Sequence, residues 1–526
     1  MSQVTPFVEA KKDVAPTPIV SIEEKVVLVK VEGETDGTSM NKVSSVGSAI
    51  ESIEGIDVYH FPEVLATDPN QGFKATKLVF FSLSKPHMMS FHLSWISFFM
   101  AFFGWFALAP LMPVIKEDLG LSDSDVWVAN IASVLATVFA RFIVGPMCDE
   151  HGPRRLQTAL MVWSGVTCML CPLINNAGSL IFMRLIVGVA GSTFVCTQFW
   201  GSSMFASNVV GQAQAVMGGL GNLGGGVIQL FMPLMYEAMR ATGATSSVSW
   251  RLALVFPAAF LLATAVAVYF FTLDSPRGDY VDLVAAGKMA KVFSTESAKL
   301  GYGDPVSWLV AGHYAANFGV ELTLNNYLVT YFVDKFGLDL ITAGTIAACF
   351  GLTNIFARAL GGILSDYTAK TYAMRGRLVV QMTLLFSEGF FLLVFSRMDD
   401  LVSAVAAMCV FAVFVQASEG STFSIVPFIV PEAKGAVTGV VGAGGNIGAV
   451  LCGFVFLFSG LGASDVLFVI SFIVMAMAFL TPLIFLKGNH DAVFGYNPRK
   501  VTAAGVRKLS ARRLTQLAME PYLGVA

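Results

Sequence analysis

Charge is the scarcest ingredient of this chain. Of its 526 residues, 13% are Asp, Glu, Lys or Arg and 55% are hydrophobic, against roughly 25% charged in a soluble domain. A soluble fold of this length could not cover its surface, so a soluble enzyme is excluded, as are collagen-like and disordered chains. The net charge of −3 gives no reason to expect nucleic acid as a partner. Cysteine is sparse too. The seven cysteines all lie in or at the edge of apolar runs, none in a tail, so a disulfide framework is not expected. Cys168-Met-Leu-Cys171 has redox-motif spacing, but inside an apolar run it reads as two small buried residues. There is no Asn-x-Ser/Thr sequon, and no apolar run in the first 88 residues long enough for a cleavable signal peptide. Nucleophile–base pairs and metal-ligand clusters are missing, and the glycine runs lack the Lys-Ser/Thr of a phosphate loop. An enzyme is therefore not expected, nor any cofactor.

What is abundant is long apolar runs. Roughly twenty apolar residues cross a bilayer core. Twelve runs qualify: about 89–115, 125–148, 156–174, 179–205, 211–236, 251–273, 306–332, 341–365, 377–396, 401–427, 434–460 and 464–486. The polar stretch 274–305 divides them into two sets of six. The expected organisation is a mostly disordered tail (1–88), a six-helix bundle (89–273), a central loop (274–305), a second six-helix bundle (306–487) and a tail (488–526). Lys and Arg concentrate on one side: Arg154, Arg155, Arg277, Lys288, Lys291, Lys299, Lys370, Arg375, Arg377 and Lys434, against Lys116, Arg240, Arg251, Lys335 and Arg397 on the other. This bias places both tails and the central loop in the cytosol.

The two halves repeat each other. Span two contains Ala140-Arg141-x-x-x-Gly145-x-x-x-Asp149 and span eight Ala357-Arg358-x-x-x-Gly362-x-x-x-Asp366. In each, Arg precedes Asp by eight residues, about 12 Å of helix, so the two arginines lie at one depth near mid-membrane. Spans five and eleven repeat as well, through Gly218-Gly219-Leu220-Gly221-Asn222-Leu223-Gly224 and Gly442-Ala443-Gly444-Gly445-Asn446-Ile447-Gly448. Glycine weakens an isolated helix by roughly 1 kcal/mol per residue relative to Ala. Such runs therefore serve close approach, of another helix or of a ligand.

An Arg inside a span costs at least about 2.5–3.5 kcal/mol. The intramembrane carboxylates are Glu321, Glu388 and Glu419, so neutralisation of an arginine by Glu321 or Glu419 stays open. In the other reading, both guanidiniums converge on a small planar oxyanion, which their forked donors suit. Aromatics on spans one, four and seven, Phe102, Phe194, Tyr314 and Phe318, could complete such a site. Phe is too abundant, at 44 residues, for position alone to select them.

Gly145-Pro-Met-Cys-Asp149-Glu-His-Gly152-Pro-Arg154-Arg155 resembles the loop 2–3 motif of the major facilitator superfamily, and Arg184-Leu-Ile-Val-Gly188 its span-four motif. The loop 8–9 copy keeps only Gly362 and Asp366. The paired Arg and Gly-Asn segments resemble the signatures of the nitrate/nitrite porter family. The segments from His87 through Trp105 to Pro113, and Gln416 to Phe423, are similar to its plant and algal high-affinity members. The resemblance spans about 70–495. Met217 departs from it, standing where bacterial members often carry a polar residue.

The resemblance implies an all-α membrane protein of twelve transmembrane helices in two pseudo-symmetric six-helix bundles. It implies a transporter of nitrate, with nitrite a further substrate, and a single-span accessory subunit as one partner besides the bilayer. By it, Arg141 and Arg358 clamp the anion, Phe102 and Phe194 lie above and below it, and Tyr314, Phe318, Gly218, Gly219, Asn222 and Asn446 complete the site. It implies proton symport at the plasma membrane; the candidates for carrying the proton are Glu419 and Glu321, then His313. Glu388 is expected at a local partner or an interface. Gly145, Asp149, Gly152, Arg154 and Arg155 are expected to form a conformational latch with the cytoplasmic end of span eleven. Nitrate/nitrite exchange and a nitrate-sensing receptor are the competing readings.

Overall fold

The computed structural model describes residues 65–338, 340–486 and 493. Among these, eleven helices are long and apolar enough to cross a membrane. They are span one (His87–Trp105), two (Ser124–His151), three (Pro153–Leu173), four (Ala177–Met204), five (Val210–Ala241), six (Ser246–Phe271), eight (Thr342–Tyr372), nine (Met374–Ser396), ten (Leu401–Phe428), eleven (Pro431–Phe456) and twelve (Ala463–Leu483). Span seven is the helix Pro305–Phe336, equally long but more polar. It carries His313, Asn317 and Glu321 at four-residue spacing, which aligns them on one face. The architecture is thus the helical, twelve-span one anticipated, with one short hairpin added. Its exterior is apolar: Phe139, Ile143, Phe182, Phe270 and Phe458 are exposed, while Arg141, Arg358, Glu388 and Glu419 are buried. That inversion fits a hydrocarbon solvent.

Spans one, four and eight are interrupted near the middle of the bundle or at a proline. Span one stops at Trp105 rather than near 115, because Pro110 and Pro113 cannot continue it; Met112–Leu119 is a separate short helix with Pro at its start. Span four passes through a 3-10 turn at Gly188–Ser192. Span eight does so at Thr353–Ile355, just before Arg358. These turns change the carbonyl pattern at mid-span.

Glycine brings the halves together. A Cβ on Gly145 of span two would lie 2.5 Å from Gly435 O and 3.1 Å from Gly439 Cα of span eleven. A Cβ on Gly362 of span eight would lie 2.5 Å from Gly211 O of span five. Both crossings are backbone-to-backbone contacts that only glycine permits.

Two segments outside the expected spans are structured. Residues 65–86, assigned to the tail, contain a hairpin pairing Thr67–Asp68 with Lys74–Ala75. It docks on the link between spans four and five: Ala206 N donates to Ala75 O at 2.8 Å, Ser207 N to Gln71 Oε1 at 3.0 Å, and Lys74 Nζ to Ser202 O. The central loop forms helices Tyr280–Ala285 and Ser294–Gly303. The earlier part of the N-terminal tail and nearly all of the C-terminal tail lie outside the described residues.

Candidate functional site

Arg141 is fully buried and meets no carboxylate among the described residues. Its Nε and Nη2 donate to Gly191 O at 3.0 and 2.9 Å, and its Nη1 to Gly442 O at 2.5 Å. Gly191 lies in the 3-10 turn of span four and Gly442 in span eleven, so one guanidinium joins both halves through carbonyl dipoles. Three of its five N–H donors are used. Sequence reasoning missed these acceptors, because every residue has a carbonyl; the faint signal was the glycines themselves.

Arg358, also fully buried, is held differently. Nη1 pairs with Glu419 Oε2, Nη2 donates to Tyr314 OH at 2.8 Å, and Nε has no partner. Neutralisation of one arginine by Glu419 is therefore realised at Arg358 and not at Arg141. Glu321 on span seven accepts from Asn354 Nδ2 at 2.7 Å and lies near Glu419. Glu388 is fully buried beside Ser418, with no hydrogen bond of good geometry to either oxygen. It is therefore an internal group close to Glu321 and not part of an exposed interface. Glu419 and Glu321 thus lie at the Arg358 guanidinium, with Glu388 near Glu321.

The rings stack against both arginines. The Phe194 ring centroid is 4.9 Å from Arg141 Cζ and 5.6 Å from Arg358 Cζ, and the Phe318 centroid is 5.6 Å from Arg141 Cζ. Tyr314 and Phe318 stack at 5.1 Å and 3°, with Phe194 parallel to Tyr314 at 5.9 Å. Phe423, which sequence reasoning did not select, stands edge-on to Phe194 at 4.8 Å. Phe102 is not beside either guanidinium. It packs on Phe98 at 4.5 Å, and Phe98 meets Phe194 at 5.4 Å. The expected placement above the anion is one ring removed in this arrangement, because Phe98 fills the intervening space.

Each glycine segment faces the arginine of the other half. A Cβ on Gly218 of span five would lie 2.7 Å from Arg358 Nε, and one on Gly219 2.6 Å from Asn354 O. A Cβ on Gly442 would lie 3.4 Å from Arg141 Cδ, and one on Gly445 2.6 Å from Phe318. Asn222 and Asn446 are buried, and neither amide has a protein partner for its oxygen or nitrogen. An unsatisfied buried amide costs about 1–3 kcal/mol, so this matched pair is an expensive feature for packing alone.

At one end of the spans Asp149 accepts from Gly435 N at 2.9 Å, Ala436 N at 3.0 Å and Ser297 Oγ at 2.5 Å. The first two are backbone donors at the start of the helix Lys434–Phe458, where a carboxylate is favoured by the helix dipole. The other half mirrors this. Asp366 accepts from Gln212 N at 2.6 Å, near the start of span five, and pairs with Arg377 at 2.6 Å.

Not every expected latch residue reaches span eleven. Arg154 pairs with Asp279 and donates to Tyr269 O at 2.9 Å, and Arg155 is exposed. Their helix begins at Pro153, past Gly152 (φ 78°), and that turn directs them to span six and the central loop. Asp274 caps the same turn, accepting from Arg154 N at 2.7 Å and Tyr280 N at 3.0 Å. Burial pushes its carboxyl up to about 7. His313 is also outside the arginine site, bonded to Leu309 O at 2.8 Å and Thr481 Oγ1 at 3.0 Å on the span-twelve side.

The Major Facilitator Superfamily model matches residues 94–453. High affinity nitrate transporter 2.5 of Arabidopsis thaliana is 43% identical over 73% of this chain and 76% of its own length. Nitrate transporter 2.2 of Chlamydomonas reinhardtii is 39% identical over 72% and 74%. The nitrate/nitrite transporter NrtP of Picosynechococcus is 26% identical over 68% and 83%. Among solved structures, the proton:xylose symporter XylE shares the fold at a TM-score of 0.59 and 13% identity, covering 75% of this chain and 95% of that one. With matched arginines, matched glycine segments and these relatives in hand, the chain belongs to the nitrate/nitrite porter family of the major facilitator superfamily.

Proposed function

We propose that the chain carries nitrate, and nitrite by the same chemistry, across a membrane by proton-coupled symport. Two six-helix halves rock about a central site built on Arg141 and Arg358. The observation that carries this is the unequal treatment of the two arginines. Glu419 neutralises Arg358, whereas the described hydrogen bonds of Arg141 all go to backbone carbonyls. Arg141 is left without a counter-charge among the described residues, and one monovalent anion balances it. Unpaired donors remain for that anion on Arg141, Arg358 Nε, Asn222 and Asn446. Phe194 lies against both guanidiniums here; the anion reaches them when the ring turns aside.

Proton coupling is assigned to Glu419 or Glu321, which lie close together beside Arg358; a proton on one of the pair removes the repulsion between two neighbouring carboxylates. Bringing one anion into a negative cytosol costs about 2.3 kcal/mol per 100 mV. One proton cancels this charge; a second makes the potential drive uptake. The Lys and Arg bias supports placing the Asp149 face in the cytosol. There Asp149 and Asp366 hold the halves closed through helix N-termini. The plasma membrane is the proposed location, and a single-span accessory subunit a proposed partner.

The test is nitrate uptake by proteoliposomes holding the purified chain, with and without an inward proton gradient. Uptake driven by the gradient, with no internal nitrite, is expected. Uptake that needs internal nitrite and ignores the gradient would make the chain an exchanger. Binding without flux would make it a receptor.

A further inference from the structure

A third intramembrane arginine remains unexplained. Arg184 on span four is 4% exposed. Its Nη2 donates to Asn130 Oδ1 at 2.8 Å, its Nε has no partner, and no described carboxylate pairs with it. Like Arg141, it carries the roughly 2.5–3.5 kcal/mol cost of a charge inside a span without an ion pair. It lines a cavity of about 20 Å³ with Asn130, Ser133, Asn326 and Trp105. Asn130, its oxygen taken by Arg184, keeps its amide hydrogens to donate. Asn326 bonds Leu322 O through Nδ2 at 2.8 Å, leaving a second hydrogen.

Position matters as much as composition. Arg184 precedes Gly191 by seven residues on span four, about 10 Å along a helix, on the side away from Asp149. Gly191 O is the acceptor of Arg141. Trp105 stands between the two levels, donating to Ser133 Oγ at 2.7 Å, and a Cβ on Gly191 would lie 2.8 Å from its ring. The cavity is therefore one step before the central pair, behind an indole. Asn326 belongs to the second half and the other lining residues to the first, so the space widens when the halves part on this face. At 20 Å³ it admits about one water-sized group as it stands.

We infer that Arg184, with Asn130 and Asn326, forms a second binding subsite for a small oxyanion, which receives the ion before it passes Trp105 to Arg141 and Arg358. This rests on the proposed anion transport and deepens it. A charged staging site raises the local ion concentration at the central site without taking part in translocation, an effect of about tenfold or more.

The experiment compares Arg184→Gln, Arg184→Lys and Asn326→Leu with the parent chain in nitrate uptake, normalised to surface protein. The expected result is a KM raised about tenfold in Arg184→Gln, less in the other two, with maximal rate within about twofold and a flatter dependence on ionic strength. Asn326→Leu decides the matter if Arg184→Gln fails to reach the surface. A KM within about twofold of the parent in these variants would overturn the subsite, as would a fall confined to maximal rate. A second arm titrates nitrate against thermal unfolding of purified Arg141→Lys/Arg358→Lys protein. Weak residual stabilisation that Arg184→Gln removes is expected. Its absence also overturns the subsite. A parent chain that moves no nitrate but shows this residual binding would refute the transport reading and keep the subsite.

Discussion

Replacing Glu419 by glutamine keeps the shape of the side chain and removes its charge. Both partners of the Arg358–Glu419 pair are fully buried. Removing one charge from a buried pair costs about 3–5 kcal/mol. The glutamine oxygen still accepts from the Arg358 guanidinium, and that remaining hydrogen bond offsets about 1 kcal/mol of the loss. Tyr314 OH still takes Nη2 at 2.8 Å. The expected loss is therefore about 2–4 kcal/mol. It should be partly reversible by substrate, since Arg358 then lacks a counter-charge and a bound nitrate supplies one; ligand at 100 times its Kd adds about 2.7 kcal/mol. The assay is thermal unfolding of the purified protein in chloride and in nitrate, beside uptake at two external pH values. Glu419→Gln should unfold earlier in chloride, recover more than the parent in nitrate, and lose acid-stimulated uptake. Parental stability in chloride, together with parental pH dependence of uptake, would refute the reasoning.

Gly219→Ala forces a Cβ to 2.6 Å from the Asn354 backbone oxygen. Overpacking of about 1–3 kcal/mol outweighs the helix gain of about 1, so unfolding temperature and nitrate affinity should both fall. Gly453→Ala, with nothing within 4 Å of its Cβ, should instead gain up to about 1 kcal/mol in the same scan. Asp149→Asn keeps the acceptor but removes the charge at the start of span eleven, a loss of about 0.3–2 kcal/mol; amide exchange over residues 431–440 should accelerate, while exchange in span twelve should not. Asp274, raised by burial to about 7, keeps a proton in the folded state that the unfolded chain releases above about pH 4. Stability should then fall as pH rises from about 4 to about 7, by at most about 1.4 kcal/mol per unit, and level off above. Asp274→Asn should flatten that slope in unfolding scans across pH.

The parts of the fold and site that could be read in advance share a physical cause. A charge inside an apolar run is conspicuous, so Arg141 and Arg358 stood out, and their eight-residue spacing to Asp149 and Asp366 put them at one depth. Glycine runs that weaken a helix announce close contact, and the structure has them facing the opposite half's arginines. Ring positions were not legible, since Phe98, Phe102 and Phe423 look alike in a chain with 44 phenylalanines. Nor were the acceptors of Arg141, because backbone carbonyls leave no mark in sequence. The hairpin at Thr67–Ala75 was hidden because its strands have two residues each and rely on docking to Ser202 and Ala206. Arg154 was placed with its motif neighbours, whereas the turn at Gly152 sends it to Asp279.

The central claim is that two guanidiniums bind the transported anion through forked donors. The most direct measurement is nitrate-evoked current across external pH and voltage, in cells expressing the chain with an accessory subunit, for the parent, Arg141→Lys and Arg358→Lys. The parent should give inward current that grows with external acidity. Each lysine keeps the charge but loses the fork. Forfeiting at least one charge-assisted bond of about 1.5–3 kcal/mol should raise the half-maximal nitrate concentration by about tenfold or more. Unchanged half-maximal concentrations in both variants would contradict the account.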